Sequence, residues 1–320
     1  MVETWHATSL LNDDHSTLND DHSALSDDRS AASETRKMLI ILLAGQSNMA
    51  GRGAYSQLSP ADTVTYSNIL SLNKDNVWVR AKHPLHWDKS EAAVGMGISF
   101  ARELIKKTGE DVTIGLVPCA AGGTNIDQWL NDAWFAYTGN FNLYTNFIER
   151  ANKAAESGEI IAMLWHQGEA NAGSTAYTTY GEKLLTLFTR MRNDLNLPDM
   201  PIISGELGRY LSYTYLNEVN VIINKLSDVL PKYAVASSAG LIPNSDIVHF
   251  TATSQVELGR RYAEAFYPVY RNLPASLTSL VYGSGTLSPA FNPDITEYTC
   301  YLPAGINSVT PAYTTSYTGA

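Results

Sequence analysis

Cysteine is scarce in this sequence, because the 320 residues contain only Cys119 and Cys300. Two cysteines cannot build a disulfide framework, nor can they supply a cysteine-based metal site. The chain therefore depends on an ordinary hydrophobic core. Its hydrophobic content of 44% and aromatic content of 10% are those of a globular protein that can bury one.

Basic residues and long apolar runs are also lacking. Lysine and arginine number 22 against 32 acidic residues, a formal net charge of −10, whereas nucleic acid is bound by clustered positive charge. No apolar run reaches the length of a membrane span, about 20 residues. The first 37 residues lack the apolar segment of a secretory signal peptide. We expect no nucleic-acid partner, no membrane span and no signal peptide in this chain.

The first 37 residues have a composition unlike the remainder. Residues 11–31 repeat an imperfect heptad three times, as LNDDHST, LNDDHSA and LSDDRSA. One leucine in seven gives too narrow a stripe to bury, and the paired aspartates repel each other. We predict that residues 1–37 are a disordered acidic leader, which need not be native, and that Met38 is a start of the natural chain.

Residues 38–272 alternate between strand-like and helix-like patterns. Apolar strand-like runs lie at 38–44, 111–118, 160–165, 200–205 and 233–239. Helical periodicity lies between or after them, at about 92–108, 141–157, 175–195, 214–230 and 251–267. Strands that are apolar on both faces and alternate with helices indicate a parallel sheet covered on both sides. This pattern predicts a three-layer α/β/α sandwich around a parallel, flavodoxin-like sheet.

Residues 273–320 differ again. They are rich in Thr, Ser, Tyr, Gly and Pro without helical periodicity, which is typical of short strands and turns. The run LTSLVYGSGTLSPAFNPDITEYTCYLPAGINSV resembles the beginning of a cadherin-like β-sandwich repeat. We predict a truncated β-rich domain in this segment.

Two motifs suggest a nucleophile and its base. Ser47, in GQSNM, directly follows the first strand, where backbone N–H groups could bind a developing oxyanion. Asp246 and His249, in DIVH, precede the last long helix, and their spacing lets the carboxylate orient the imidazole. A plain turn around Ser47 and a capping or packing role for His249 are the structural alternatives.

Two further motifs follow other strands. WHQGE places His166, Gln167 and Glu169 at the end of one strand, where Gln167 could donate to an oxyanion and Glu169 could orient His249 or bind substrate. His166 also fits a structural histidine, and that interpretation is favoured. AGGTN places Gly122 and Gly123 after another strand, where a glycine backbone can approach a ligand closely or simply turn.

In a parallel sheet these motifs converge on the carboxyl edge of the strands, where α/β proteins bind ligands. With GQSNMAGRG, GGTNIDQW, WHQGEAN and DIVHFT in this order, the sequence resembles the SGNH-hydrolase superfamily. It is most similar to the sialate O-acetylesterase and acetylxylan esterase branch, carbohydrate esterase family six. The resemblance extends from about Met38 to Tyr270.

The resemblance implies specific roles for these residues. Ser47 would be the nucleophile and His249 the base, with either Asp246 or Glu169 as the acid. The oxyanion would be bound by the N–H groups of Ser47 and Gly123 and by the Gln167 side chain, which replaces the superfamily's usual Asn. No metal or organic cofactor is implied. Further substrate contacts are expected from Gln46, Asn48, Gly122, Thr124, Trp129 and His166.

The implied activity is removal of acetyl groups from a carbohydrate, with acetylated xylan or its oligosaccharides as the leading substrate. A sialate O-acetylesterase shares the motifs. A non-catalytic carbohydrate-binding or adhesion protein is the alternative from another class, because the C-terminal segment is β-rich. The polymeric substrate and this segment lead us to expect a secreted or cell-surface protein.

Overall fold

The structure is a computed structural model. It describes residues 2–6, 38–109, 112–136, 140–270, 277–281, 285–292, 297–303 and 312–315. The chain divides into two compact units. One comprises residues 36–272, and the other comprises residues 1–35 together with 273–320.

The strands, in chain order, are β1 (Val2–His6), β2 (Met38–Gly45), β3 (Ile69–Leu72), β4 (Trp78–Arg80), β5 (Ile114–Pro118), β6 (Trp134–Phe135), β7 (Phe141–Asn142), β8 (Gly158–His166), β9 (Ile202–Gly205), β10 (Tyr233–Ala236), β11 (Leu277–Val281), β12 (Thr286–Ser288), β13 (Glu297–Tyr301) and β14 (Ala312–Thr315). The α-helices are α1 (Ser47–Ala50), α2 (Gly97–Thr108), α3 (Ile126–Leu130), α4 (Leu143–Ala155), α5 (Glu169–Ala172), α6 (Tyr180–Asp194), α7 (Leu216–Lys225) and α8 (Ala252–Phe266).

A seven-stranded sheet forms the centre of the larger unit, in the order β10-β9-β8-β2-β5-β3-β4. The pairs along it are parallel except for the edge pair β3–β4. Strand β2 is paired with β5 on one side and with β8 on the other. The chain therefore reverses its direction of travel across the sheet at β2, and the crevice beyond the carboxyl end of such a strand is where α/β proteins bind ligands.

Both faces of β2 are buried, as expected for a central parallel strand. Ile40 and Leu42 belong to the core beneath α4, α6 and α7, together with Phe147 and Trp165. Leu43 faces the other side, where Gly97 of α2 leaves room for its side chain. Helices α2 and α8 pack against each other on that side. The three-layer α/β/α prediction is therefore confirmed.

The sequence pattern located five strands of the sheet and five of its long helices, with boundaries that shift by several residues at some ends. It missed β3 and β4, which contain only four and three residues. Trp78–Arg80 is partly exposed at the sheet edge and lacks a continuous apolar run. The edge pair makes the sheet mostly rather than wholly parallel.

The smaller unit is made of strands alone in its described part. Strand β13 pairs antiparallel with β1 and β12, and β11 pairs antiparallel with β14. Residues 2–6 thus form a strand, which differs from the predicted disordered leader, because β13 supplies backbone hydrogen bonds that a local sequence pattern does not reveal. The other leader residues lie outside the described residues. The cadherin-like assignment of 273–320 stays a prediction.

Glu206, which follows β9, is a buried carboxylate with several donors. It accepts hydrogen bonds at 3.0 Å from the Ser238 N–H and the Ser237 hydroxyl, and it pairs with Arg209 at 2.9 Å. Burial raises the pKa of Glu206, but the hydrogen bonds from Arg209, Ser238, Asn224 and Ser237 outweigh burial and leave the pKa below its ordinary value. The ionised carboxylate therefore stabilises the fold.

We expect Glu206→Gln to lower the free energy of unfolding at pH 7 by about 1.5–3 kcal/mol, because hydrogen bonds to a charged group are lost. A lowered native pKa contributes stability above the unfolded pKa, and this stability disappears as the pH falls through the native pKa. Urea unfolding should therefore show a smaller loss of stability for the variant than for the wild type between about pH 5 and pH 3. If the free energy of unfolding changed equally with pH in the variant and in the wild type, this role of Glu206 would be contradicted.

Candidate active site

The backbone at the end of β2 presents Ser47 at the start of α1. Gly45 adopts a φ of 130°, and a Cβ there would lie 2.2 Å from the carbonyl oxygen of His166. Only glycine fits this close approach of β2 to β8. The turn that follows places Ser47 at the carboxyl edge of the sheet, with its side chain mostly buried.

A short hairpin brings His249 to the same edge. Pro243 and Phe250 form an antiparallel bridge, and the Asn244 N–H donates to the carbonyl of His249 at 2.6 Å. Within the turn, Asp246 Oδ1 accepts the N–H groups of Val248 and His249, each at 2.9 Å. The aspartate therefore holds the loop and the histidine in one arrangement.

Ser47, His249 and Asp246 form a hydrogen-bonded relay. The Ser47 Oγ lies 2.9 Å from His249 Nε2, and His249 Nδ1 lies 2.7 Å from Asp246 Oδ2. With the Nδ1 proton donated to the carboxylate, Nε2 is left to accept the serine proton. The structure thus brings together two side chains 202 positions apart in the sequence.

Asp246 is ionised in this arrangement. Partial burial raises the pKa of Asp246, but the hydrogen bonds from the His249 and Val248 backbones and the His249 ring together lower it below its ordinary value. An ionised carboxylate fixes the histidine tautomer and stabilises the imidazolium that forms when the serine proton is taken up.

Glu169, the competing acid, occupies a different place. Its Oε1 accepts a hydrogen bond from Asn48 Nδ2 at 2.6 Å and lies 3.6 Å from His166 Nε2. Asn48 in turn accepts the Phe250 N–H at 3.2 Å. Glu169 therefore fastens the turn after Ser47, whereas Asp246 is the carboxylate that contacts His249.

The Gly122–Gly123 turn presents one free backbone donor. The Gly122 N–H donates to Asp88 Oδ2 at 2.8 Å, and the same oxygen accepts Arg52 Nη2 at 2.6 Å. Gly123 adopts a φ of 82°. Neither its N–H nor that of Ser47 makes a hydrogen bond within the described part of the chain. Of the two glycines, Gly123 is thus the one able to donate to an oxyanion.

The expected oxyanion role of Gln167 disagrees with the structure. Its side chain is fully buried, and Nε2 donates inward to Asn171 Oδ1 at 2.9 Å, Gln46 Oε1 at 3.2 Å and the Thr124 carbonyl at 3.3 Å. The amide is therefore held beneath the site by three acceptors. Gln46 lies between Gln167 and the open cleft.

Trp129 and Thr124, which were expected to contact substrate, both have buried side chains. The Trp129 ring packs edge-on against Trp165 at 5.2 Å, and its Nε1 donates to Thr124 Oγ1 at 3.0 Å. Trp129 lies on the buried face of α3, so helical packing was the correct alternative.

His166 and Asn48 are likewise buried and do not line the cleft. His166 Nδ1 lies 3.0 Å from the Tyr262 hydroxyl, and burial lowers the pKa of His166. His166 is thus a structural histidine, as the favoured alternative had it. Asn48 acts through the hydrogen bonds that tie Glu169 and Phe250 to the nucleophile turn.

The cleft is the cavity of about 530 Å³ lined by Ser47, Gln46, Gly123, Glu169, Tyr213 and His249, among others. Sequence reasoning missed Tyr213, whose only signal was the tyrosine-rich run YLSYTYL. It also missed Arg52, which lies inside the GQSNMAGRG motif but was assigned no role, and Asp88, which lies in a loop outside the quoted motifs. Among the described residues, no group of three or more His, Cys, Asp or Glu side chains could hold a metal ion, and no helix is long and apolar enough to cross a membrane.

Comparisons with known proteins identify the family to which the chain belongs. A family model described as carbohydrate esterase, sialic acid-specific acetylesterase, matches residues 37–268. The chain belongs to this esterase family. The esterase is also 34% identical over 247 residues to a probable carbohydrate esterase of Arabidopsis thaliana, a match that spans 71% of this chain and 89% of the relative.

Solved structures agree on the fold of the esterase. An X-ray structure of an Arabidopsis thaliana protein is 32% identical, with a TM-score of 0.65 and coverage of 74% of this chain and 99% of that one. The structure of NanS is 15% identical in sequence, with a TM-score of 0.58. The match covers 72% of this chain and 96% of that one. A carbohydrate acetylesterase from Xanthomonas citri is 20% identical in sequence, with a TM-score of 0.56. The match covers 78% of this chain and 60% of that one. At their low identity, the last two comparisons concern the fold alone.

Proposed function

We propose that this esterase removes O-acetyl groups from a carbohydrate through an acetyl-enzyme intermediate on Ser47. The observation that carries the proposal is the relay from Ser47 through His249 to Asp246, with hydrogen bonds of 2.9 and 2.7 Å at the mouth of an open cleft. A serine whose hydroxyl proton has an oriented base is an activated nucleophile.

The reaction proceeds in two halves. Ser47 Oγ attacks the acetyl carbonyl while His249 Nε2 takes its proton, and the carbonyl oxygen becomes an oxyanion facing the Ser47 and Gly123 N–H groups. His249 then gives this proton to the sugar oxygen as its bond to the acetyl carbon breaks, which releases the sugar alcohol and leaves acetyl-Ser47. Water attacks this ester while His249 takes its proton, and His249 passes that proton to Ser47 Oγ as the serine ester bond breaks and acetate is released. Asp246 keeps the imidazole oriented throughout.

Acetylated xylan or xylo-oligosaccharides are the proposed substrates. The Arg52 guanidinium in the cleft wall is paired with Asp88, with side chains that are 6% and 1% exposed. This pairing supports a neutral sugar, since a carboxylated sugar would compete with Asp88 for Arg52, one of the two Lys or Arg side chains that line the cleft. The description of the matching family supports the second candidate, a sialate O-acetylester.

Acetate release from acetylated xylan and from O-acetyl sialic acid tests both candidates. We expect a higher kcat/KM on the xylan substrate, and we expect Ser47→Ala to abolish release from either. Preference for the sialate ester would reverse the substrate assignment without affecting the proposed chemistry. Unchanged activity of Ser47→Ala would refute the acetyl-enzyme mechanism itself.

A further inference from the structure

We propose that the Gln46 side-chain amide, rather than that of Gln167, is the third hydrogen-bond donor to the oxyanion. Gln46 directly precedes the nucleophile and lines the cleft, whereas Gln167 does not line it. The inference rests on the proposed function, since it concerns the charge that develops when Ser47 attacks an acetyl group.

The orientation of the Gln46 carboxamide follows from its acceptor side. Its Oε1 faces three donors on the neighbouring segment: Gln167 Nε2 at 3.2 Å, Gly168 N–H at 3.4 Å and Ala170 N–H at 3.5 Å. Because the oxygen faces the protein interior, the nitrogen is the atom that can donate a hydrogen bond to a group bound in the cleft. Its N–H groups have no partner among the described residues.

Only 4% of Gln46 is exposed, yet its side chain lines the cleft. Its nitrogen is not one of the fully buried polar atoms that lack a partner among the described residues. A donor fixed in place beside the nucleophile costs no reorganisation when negative charge appears, which is the basis of oxyanion stabilisation. Gln167 is then a positioning residue, because its Nε2 helps to hold the Gln46 oxygen.

Kinetics of Gln46→Glu, Gln46→Ala and Gln167→Ala on p-nitrophenyl acetate test this assignment. Gln46→Glu keeps the acceptor oxygen and the shape but replaces the donor nitrogen by an oxygen of a negatively charged carboxylate, whereas Gln46→Ala removes the donor without adding charge. We expect both Gln46 variants to lose about 10²–10³-fold in kcat, the typical effect of one oxyanion donor, with KM changed by less than about 3-fold. Gln167→Ala should lose less, because Gly168 and Ala170 still hold the Gln46 oxygen.

A tetrahedral boronate formed on Ser47 with methylboronic acid supplies a second readout. We expect its inhibition constant to rise in the Gln46 variants in parallel with the loss of kcat, while their thermal unfolding stays close to that of the wild type. A larger loss in Gln167→Ala than in Gln46→Ala would overturn the assignment. So would full kcat in Gln46→Glu when Ser47→Ala is inactive, a result that would leave the proposed function standing.

A second, independent observation concerns Ile247 in the turn between Asp246 and His249. Ile247 has a φ of 59° and a side chain that is 61% exposed. The other non-glycine residues with positive φ in the described ranges are four Asn or Asp residues and Lys232. A β-branched residue is strained in this region. Packing does not compensate for the strain, because the side chain is in solvent.

We infer that Ile247 is a substrate contact, an apolar surface for the C–H face of a sugar ring next to the acetylated one. Its neighbours Asp246, Val248 and His249 line the cleft, and Ile247 stands just outside it. The turn itself is fixed, since the Ile247 N–H donates to the Asn244 carbonyl at 2.9 Å and Asn244 Nδ2 donates to the Arg52 carbonyl at 2.8 Å. This inference also rests on the proposed function.

Ile247→Asn is expected to make the fold more stable and to weaken binding of the oligosaccharide. Asn tolerates positive φ, so the variant should melt about 1–4 °C higher. Its KM should rise about 3–10-fold on acetylated xylo-oligosaccharides, increasingly with chain length, as expected for loss of apolar contact.

Ile242→Asn is the matched control, because Ile242 is 58% exposed and does not line the cleft. It should leave KM for the oligosaccharides unchanged. An equal rise in KM for both variants, an unchanged KM for Ile247→Asn, or a lower melting temperature of Ile247→Asn would each overturn the role assigned to Ile247. None of these results would touch the Ser47 mechanism.

Discussion

Replacing Ser47 by alanine is expected to lower kcat for acetate release by about 10⁶-fold, the loss seen when a serine hydrolase loses its nucleophile. The reason is that the attacking atom is removed and His249 Nε2 has no proton to accept. Ser47 occupies the first position of α1, where alanine is well tolerated. Stopped assays of acetate, with thermal unfolding measured in parallel, provide the test.

The double variant Ser47→Ala, His249→Ala is the control for this prediction. Members of a catalytic relay act as a unit, so removing both should cost little more than removing either one. Additive losses would show that Ser47 and His249 act independently. That outcome would contradict the 2.9 Å hydrogen bond between Ser47 Oγ and His249 Nε2 as the functional contact.

The second large effect is expected from Asp246→Asn, with a loss of about 10⁴-fold in kcat. The asparagine amide can donate to Nδ1 instead of accepting its proton, which stabilises the tautomer that cannot take the proton of Ser47. Glu169→Gln should lose less than about 10²-fold, because this substitution disturbs the hydrogen bond to Asn48 rather than the contact with His249. Pre-steady-state and steady-state rates on p-nitrophenyl acetate measure the loss of kcat in each of the two variants.

Two further observations bear on the assignment of Asp246 as the acid. Because Asp246 has a pKa below its ordinary value, acidification protonates the wild-type carboxylate only well below neutrality. A larger kcat loss in Glu169→Gln than in Asp246→Asn would contradict the assignment of Asp246 as the acid. It would mean that the hydrogen bonds of Asn48 to Glu169 and Phe250 position the site more strongly than Asp246 does.

The positions of Ser47 and His249 could be predicted from sequence because both follow from topology. Residues at the carboxyl ends of parallel strands meet at one edge, whatever the details of packing. The glycine pair allowed either a ligand contact or a simple turn, and Gly123 was chosen as an oxyanion donor only through the family resemblance. The choice between Asp246 and Glu169 needed coordinates, because both carboxylates lie at that edge and only a distance separates their roles.

Gln167 and Trp129 show where sequence reasoning fails. A side chain at the right edge can still point into the protein, and Gln167 does so because three acceptors surround its amide. Trp129 follows the glycine turn closely in sequence, yet the short helix α3 turns its ring inward against Trp165. The pairing of Arg52 with Asp88 could not be predicted, because the two residues lie in separate loops and a contact between loops has no sequence periodicity.

The nucleophile stands near the beginning of the esterase unit and its base near the end, 202 residues later. During translation, Ser47 therefore leaves the ribosome exit tunnel long before His249 has been added to the chain. Until the hairpin of residues 243–250 emerges and docks, the nascent polypeptide carries a serine with no base to activate it. Esterase activity during synthesis should consequently appear only after nearly the entire unit has left the exit tunnel, so the onset of hydrolysis reports that this unit has folded.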